Sequence, residues 1–208
     1  LGIGMYRASY NTLAHNRIDW NVRGYSHGFY NRGQDSAGLL MYEQSCHNVV
    51  AFNSVTHSGD GVFLWAGQHT MDTGLGGAND NLFYGNDFSH APTNGIETTF
   101  SRNVFVQNRI EENWHGVWGG YSWQSQFIGN TFRDNDEAIA IEHGQDIRIT
   151  GNSFTGDTTA IRLWWNRVAP SDWGYPKARD TRSRDYVILG NTFQGHDTAF
   201  RIATTQRV

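Results

Sequence analysis

The stretches "FIGNTFRDND" (127–136) and "ITGNSFTGDT" (149–158) carry Gly-Asn-x-Phe at the same place, 22 residues apart. Laying the whole sequence on that Asn picks out Asn16, Asn53, Asn86, Asn108, Asn130, Asn152 and Asn191. The three central intervals are each 22 residues, and the outer ones, of 37, 33 and 39, each contain an insertion. Three residues before each Asn stands Leu13, Val50, Phe83, Phe105, Phe127, Ile149 or Ile188. Two residues after it stands Ile18, Val55, Phe88, Ile110, Phe132, Phe154 or Phe193. Both columns are apolar in every copy, which is the mark of one supersecondary unit stacked on copies of itself.

A second strand opens with a small residue about eight positions after most of these Asn. Its copies are "GIGMY" 2–6, "GLLMY" 38–42, "GVFLW" 61–65, "GIETT" 95–99, "GVWGG" 116–120, "AIAIE" 138–142, "AIRLW" 160–164 and "AFRIA" 199–203. The segments are short, bounded by Gly and rich in Val, Ile, Phe, Thr and Trp, which favours strands over helical repeats. The Leu-x-x-Leu-x-Leu signature of leucine-rich repeats is missing. Three short strands fit one repeat, so the expected fold is all-β, a parallel β-helix whose coils stack at ~4.8 Å. Asn at one corner of every coil then forms a ladder that bonds turn backbones otherwise left unpaired, and the preceding Gly allows a left-handed bend.

The "IGNTF", "TGNSF" and "LGNTF" repeats, with Gly-apolar-x-apolar strands between them, resemble right-handed parallel β-helix proteins of the pectin-lyase-like type. The resemblance spans essentially the whole chain. It implies a single-stranded right-handed solenoid of about eight coils with three loop insertions. Proteins of that type include polysaccharide lyases, glycoside hydrolases, epimerases, phage tailspikes and non-catalytic carbohydrate-binding modules. The resemblance therefore implies a polysaccharide or oligosaccharide partner and leaves the reaction open.

Bulk composition narrows the partners. Charged residues are 17% of the chain and the net charge is −4, which argues against nucleic acid. No apolar run approaches the ~18 residues of a membrane span, so no membrane partner is expected. The single Cys46 excludes an internal disulfide and reads as a small buried hydrophobe. Residues 1–208 read as one β-helix domain, and the Leu at position 1 suggests a piece of a longer chain. No amphipathic cap closes either end, so a flanking domain or self-association through uncapped coils is expected. An extracellular or periplasmic location goes with this reading, although no targeting segment is present.

Strand alternation locates a face. In the Gly-led strand the third position points outward and reads Gly4, Leu40, Phe63, Glu97, Trp118, Ala140, Arg162 and Arg201. The fifth reads Tyr6, Tyr42, Trp65, Thr99, Gly120, Glu142, Trp164 and Ala203. Aromatic faces stack on sugar rings, and a monomer seldom leaves such a patch bare. Either this strip is a cleft or the insertions cover it. Two insertions, "AGQHTMDTGLGGAND" (66–80) and "NRVAPSDWGYPKARDTRSRD" (166–185), leave from the same corner and bracket coils four to six. The gap expected between them is ~19 Å. The third, "RGYSHGFYNRGQDS" (23–36) with His27 and Asp35, should rise on the opposite rim.

Within that gap Glu97 and Glu142 face outward with Cα atoms ~12 Å apart. If the side chains lean together they reach the ~6.5–9.5 Å window of an inverting glycosidase. A second constellation aligns Asp60, Asn94, His115 and Glu137 just before the strand, where His115 and Glu137 can form an acid/base pair. His143, beside Glu142, faces inward by strict alternation unless the strand has already turned, and reads as structural. The substrate-binding candidates are Trp65, Trp118, Trp164, Tyr42, Arg162 and Asp60.

Glycoside hydrolysis in a cleft across coils four to six is thus expected, ahead of a lyase reaction. A non-catalytic carbohydrate-binding module using the same aromatic platform is the alternative. No cofactor is expected, with Ca²⁺ only if the protein is a lyase. Asp134, Asp136 and Asp157 read as solvated turns that need no ion, and the scattered His residues give no transition-metal spacing.

Overall fold

The computed structural model of the chain describes residues 1–22, 36–167 and 172–208. Each coil bends at corners built alike: a residue of positive φ, then a side chain that both donates and accepts hydrogen bonds. At the corner read from the sequence the bend is made by His15, Phe52, Gly85, Gln107, Gly129, Gly151 and Gly190, with φ between 53° and 67°. The ladder Asn16–Asn53–Asn86–Asn108–Asn130–Asn152–Asn191 runs through it without a break. Asn130 shows the pattern. Its Oδ1 accepts from the backbone N–H of Asn108 at 2.9 Å and from the Asn108 Nδ2 at 3.0 Å. Its own Nδ2 donates to the Phe105 carbonyl and to Asn152 Oδ1, both at 3.0 Å.

Two more ladders line the other corners. One runs Asn11–Asn48–Asn81–Asn103–Ser125; the other runs Asn113–Asn135–Asp157. Non-glycine residues also stand in the left-handed region at these corners, where they cost roughly 1–2 kcal/mol each. Their rings stack from coil to coil in partial compensation: Tyr10 on His47 at 5.0 Å, His15 on Phe52 at 5.1 Å, and Trp20 on His57 at 4.2 Å.

Between corners the chain runs in three parallel sheets. The first holds Ile3–Tyr6, Ala37–Tyr42, Asp60–Trp65, Asn94–Thr98, His115–Trp118, Glu137–Glu142, Thr159–Trp164 and Thr198–Ile202, in chain order. Among the described residues the second has seven strands and the third four. Inside, the two apolar columns stack as rings. Phe83, Phe105 and Phe127 lie 4.8 and 5.1 Å apart. Phe132, Phe154 and Phe193 lie 4.8 and 4.9 Å apart. Each fully buried Phe contributes roughly 1.5–3 kcal/mol.

Asp157 departs from the solvated turn expected of it. It occupies an Asn position in its ladder, is 0% exposed, and its Oδ2 has no hydrogen-bond partner. Burial pushes its carboxyl above the ordinary Asp range. A folded-state pKa that is raised penalises the ionised native state, and the penalty disappears as pH falls through that pKa. Asp157→Asn should therefore raise stability by about 1–3 kcal/mol at pH 7, its amide reaching the Phe132 carbonyl as Asn135 reaches Ile110. The gain should shrink at acid pH in urea unfolding, and an unchanged midpoint at pH 7 would refute it. Asn130→Ala leaves the Asn108 N–H unpaired and takes one hydrogen bond each from the Phe105 carbonyl, the Asn108 amide and Asn152 Oδ1, and should cost about 2–4 kcal/mol in the same assay. A loss no larger than that of the outermost Asn16→Ala would show that the ladder does not hold the middle coils.

Candidate functional site

The first sheet presents the outward columns in the expected register. Leu40 pairs with Phe63, Phe63 with Glu97, Glu97 with Trp118, Trp118 with Ala140 and Ala140 with Arg162. The two ends of this strip differ. Over coils two and three Leu40 and Phe63 are buried in a cluster with Ala37, Tyr42 and Trp65, so this part is a covered patch. Tyr42 stacks on Trp65 at 4.6 Å and 9°, and Tyr6 lies 5.0 Å from Tyr42. Rings stacked from coil to coil cover one another's faces, so a ligand meets mainly their edges.

From coil three onward the strip becomes polar and connected. Asn94 Nδ2 donates to Asp60 Oδ1 at 2.9 Å and to Glu97 Oε2 at 2.7 Å. Asn94 Oδ1 lies 2.9 Å from His115 Nδ1. On its other side His115 Nε2 lies 3.4 Å from Glu137 Oε2. Arg162 Nη1 donates to both Glu137 oxygens, at 2.9 and 3.2 Å. The guanidinium also lies 4.1 Å over the Trp164 ring, whose Nε1 donates to Glu142 Oε1 at 3.1 Å. Asn166 Nδ2 donates to the same Glu142 oxygen. The two constellations that the sequence separates are therefore one line across coils three to seven.

Burial shapes its electrostatics. His115 is 5% exposed, with Trp114 stacked at 4.5 Å and Trp118 tilted at 5.0 Å. Burial opposes ionisation of Glu137, but the hydrogen bond from His115 and the charge of Arg162 outweigh it. They hold the carboxyl below the ordinary Glu range. Glu97 is tethered back to Asn94 at the start of its own strand, and Glu142 across to Trp164 and Asn166 of the next coil.

The insertions do not leave the open gap expected between them. Helix α1 (Gly67–Thr73) of the first meets helix α2 (Tyr175–Ala178) of the second. Their approach is so close that a Cβ at Gly174 would fall 1.5 Å from the Asp72 carbonyl oxygen. Below them Trp173 and Tyr175 pack on a ring column in which Phe100 stacks on Tyr121 at 4.9 Å and Tyr121 on His143 at 4.4 Å. Burial and the nearby Glu142 push the Tyr121 phenol up to about 12.

His143 does not face inward. Its φ is 58°, as Phe100 and Tyr121 have 51° and 57°, so the chain has already turned the corner. The His143 Nδ1 bonds the Thr181 carbonyl at 2.7 Å, and Nε2 accepts from the Asn166 backbone N–H at 3.4 Å. One imidazole thus staples both ends of the second insertion. The third insertion, with His27 and Asp35, lies outside the described residues except at Ser36. Trp114 and Asn166 join the site without a sequence signal, because each sits on a turn that the repeat does not constrain. Among the described residues no group of three His, Cys, Asp or Glu side chains is arranged to hold a metal ion.

The family signature described as "Right handed beta helix region" matches residues 1–169. The chain belongs to the right-handed β-helix family. Two solved structures share this β-helix. The A-module of mannuronan C-5 epimerase AlgE4 from Azotobacter vinelandii aligns with a TM-score of 0.62 at 15% identity, covering 83% of this chain and 48% of that one. The AlgE6 A-module from the same organism gives 0.66 at 15%, covering 98% and 52%. This β-helix therefore spans about half the length of those structures. Comparison with curated proteins finds no significant match.

The staple is testable. His143→Ala removes one ring stack and two hydrogen bonds and should destabilise the β-helix by about 2–4 kcal/mol. Limited proteolysis read by mass spectrometry should then cut within 166–185 well before the coils unfold by circular dichroism. Cleavage at the wild-type rate would show that the insertion is held elsewhere.

Proposed function

We propose that the protein acts on a polysaccharide lying along the first sheet, by acid–base chemistry at a uronate unit of the chain. The observation that carries this reading is the hydrogen-bonded line of Asp60, Asn94, Glu97, His115, Glu137 and Arg162, with Trp118 and Trp164 beside it. An extended polymer needs an extended site, and polar groups repeated at the coil spacing supply one. The structurally similar epimerase modules take mannuronan, a uronate polymer, which supports the same substrate class.

Hydrolysis, expected from Glu97 and Glu142, needs two carboxyl groups facing one bond from a short distance. Their tethers draw them apart from Cα positions ~12 Å away from each other, which favours proton transfer over hydrolysis. In such a reaction a base takes the proton alpha to the uronate carboxyl, and a cation neutralises the charge that moves onto that carboxyl. A proton is then delivered to the other face of that carbon, or the bond to the neighbouring sugar oxygen breaks and that oxygen takes up a proton. His115 is the candidate acid–base group: its Nε2, 3.4 Å from Glu137 in the longest contact of the line, gives up its proton before it takes one from the sugar. Arg162, with its side chain 31% exposed, is the candidate cation. Glu137 orients both, and Trp118 positions the sugar.

Binding without turnover is a second reading. It is favoured by one fact: both His115 nitrogens and the Glu137 carboxylate already have partners within the protein.

One assay separates these outcomes. Wild type and variants are incubated with polymannuronate and polygalacturonate. Unsaturated ends are read at the ultraviolet, C5 inversion by proton NMR and hydrolysis by reducing ends. Inversion or elimination should fall about 100-fold or more in His115→Ala, with binding kept. Reducing ends that vanish in Glu97→Gln and Glu142→Gln would instead make the protein a hydrolase. Polymer binding that needs Trp118 but yields no product would make it a carbohydrate-binding module.

A further inference from the structure

The second sheet carries an open groove of about 860 Å³, away from the line of groups on the first sheet. Its lining follows two columns. Along the corner run Asp80, Arg102, Gln124, Asp146, Asp185 and Arg207; on the strand behind it the register sets Val104 beside Gln126, Gln126 beside Arg148 and Arg148 beside Val187. Each end is closed by a two-pronged ion pair. Arg102 donates to both oxygens of Asp80, at 2.7 and 3.0 Å. Arg207 donates to both oxygens of Asp185, one contact at 2.8 Å. These pairs fix the groove's ends.

The centre is different. Gln124, Gln126, Asp146 and Arg148 make no side-chain hydrogen bond or ion pair among the described residues. Two amides, a carboxylate and a guanidinium thus stand without a side-chain hydrogen bond on adjacent coils, ~4.8 Å apart, Asp146 acting only through its charge on Arg207. In the strand column Val104 and Val187 flank Gln126 and Arg148, one at each end.

We infer that this groove binds a neutral, hydroxyl-rich glycan chain lying along the helix axis. Each sugar hydroxyl is both donor and acceptor, and the unengaged groups supply acceptors in Asp146, donors in Arg148 and both in the two glutamines. The ring C–H faces then rest on the valines. Charge fixes the class of chain. The groove's three arginines, Arg102, Arg148 and Arg207, are matched by Asp80, Asp146 and Asp185. A polyanion needs a surplus of positive charge that this lining lacks. From Arg102 to Arg207 the corner spans four coil steps, ~19 Å, room for several sugar rings. This site is independent of the reaction proposed for the first sheet and differs from it in ligand charge.

The test is titration of the wild-type chain with cellohexaose, xylohexaose and mannohexaose, and with a mannuronate hexasaccharide as the acidic control, followed by calorimetry and by amide NMR shifts. At least one neutral hexamer should bind saturably, with shifts confined to the second sheet. Arg148→Ala and Gln126→Ala should each weaken it about tenfold or more, while Trp118→Ala on the first sheet leaves it unchanged. The substituted side chains have no partners to lose, so circular dichroism and Tm should match the wild type. Failure of all three neutral hexamers overturns the proposal. So does binding that survives both substitutions, or a preference of this groove for the acidic hexamer. None of these outcomes touches the His115 assay on the first sheet.

Discussion

The hydrogen bond between one coil's corner amide and the next coil's asparagine is the constraint on which the rest depends. A chain that reverses direction every few residues leaves backbone groups at each bend facing no strand. In the interior those groups would each cost on the order of 1–3 kcal/mol. Asn is suited to the task because its side chain is itself an amide: one oxygen takes two donors and one nitrogen serves two acceptors. Stacked at the strand spacing, each Asn completes its neighbour. The bend, the ladder and the sheet thus share one repeat distance, and the core rings stack at it too.

A face built this way has little freedom in where it puts side chains. His115 lies between Asn94 and Glu137 because register allows nothing else. The polar line on the first sheet is therefore an output of the scaffold, held by partners in the coils before and after. Its groups are pre-arranged, and the ordering of long side chains is completed during folding. The same rigidity means that those groups begin any encounter already engaged with each other.

How much of this was legible in the sequence follows from what the repeat constrains. Asn130 and Phe132 recur at a fixed interval, so the ladder, the core columns and the order of the first sheet could be read directly. The outward register from Leu40 to Arg162 followed from alternation alone. Alternation failed at His143, because a strand's end is set by where φ changes sign, and a histidine can make that change as glycine does. The two further ladders were missed because Ser125 and Asp157 interrupt their pattern. The meeting of the insertions was not legible at all. Nothing in "AGQHTMDTGLGGAND" refers to "NRVAPSDWGYPKARDTRSRD"; the contact at Gly174 exists only once the coils between them set the distance.

That contact changes what kind of object the solenoid is. A stack of coils is a one-dimensional system in which each unit feels only its neighbours and can fray from either end. Packing α1, which leaves coil three, on α2, which leaves coil seven, spans the coils between like a strut across an arch. Twisting or sliding any one of coils four to six against the next now strains a contact several coils away. The segment from coil three to coil seven is thereby coupled into one mechanical unit. The polar line of the first sheet, from Asp60 to Arg162, lies wholly within it.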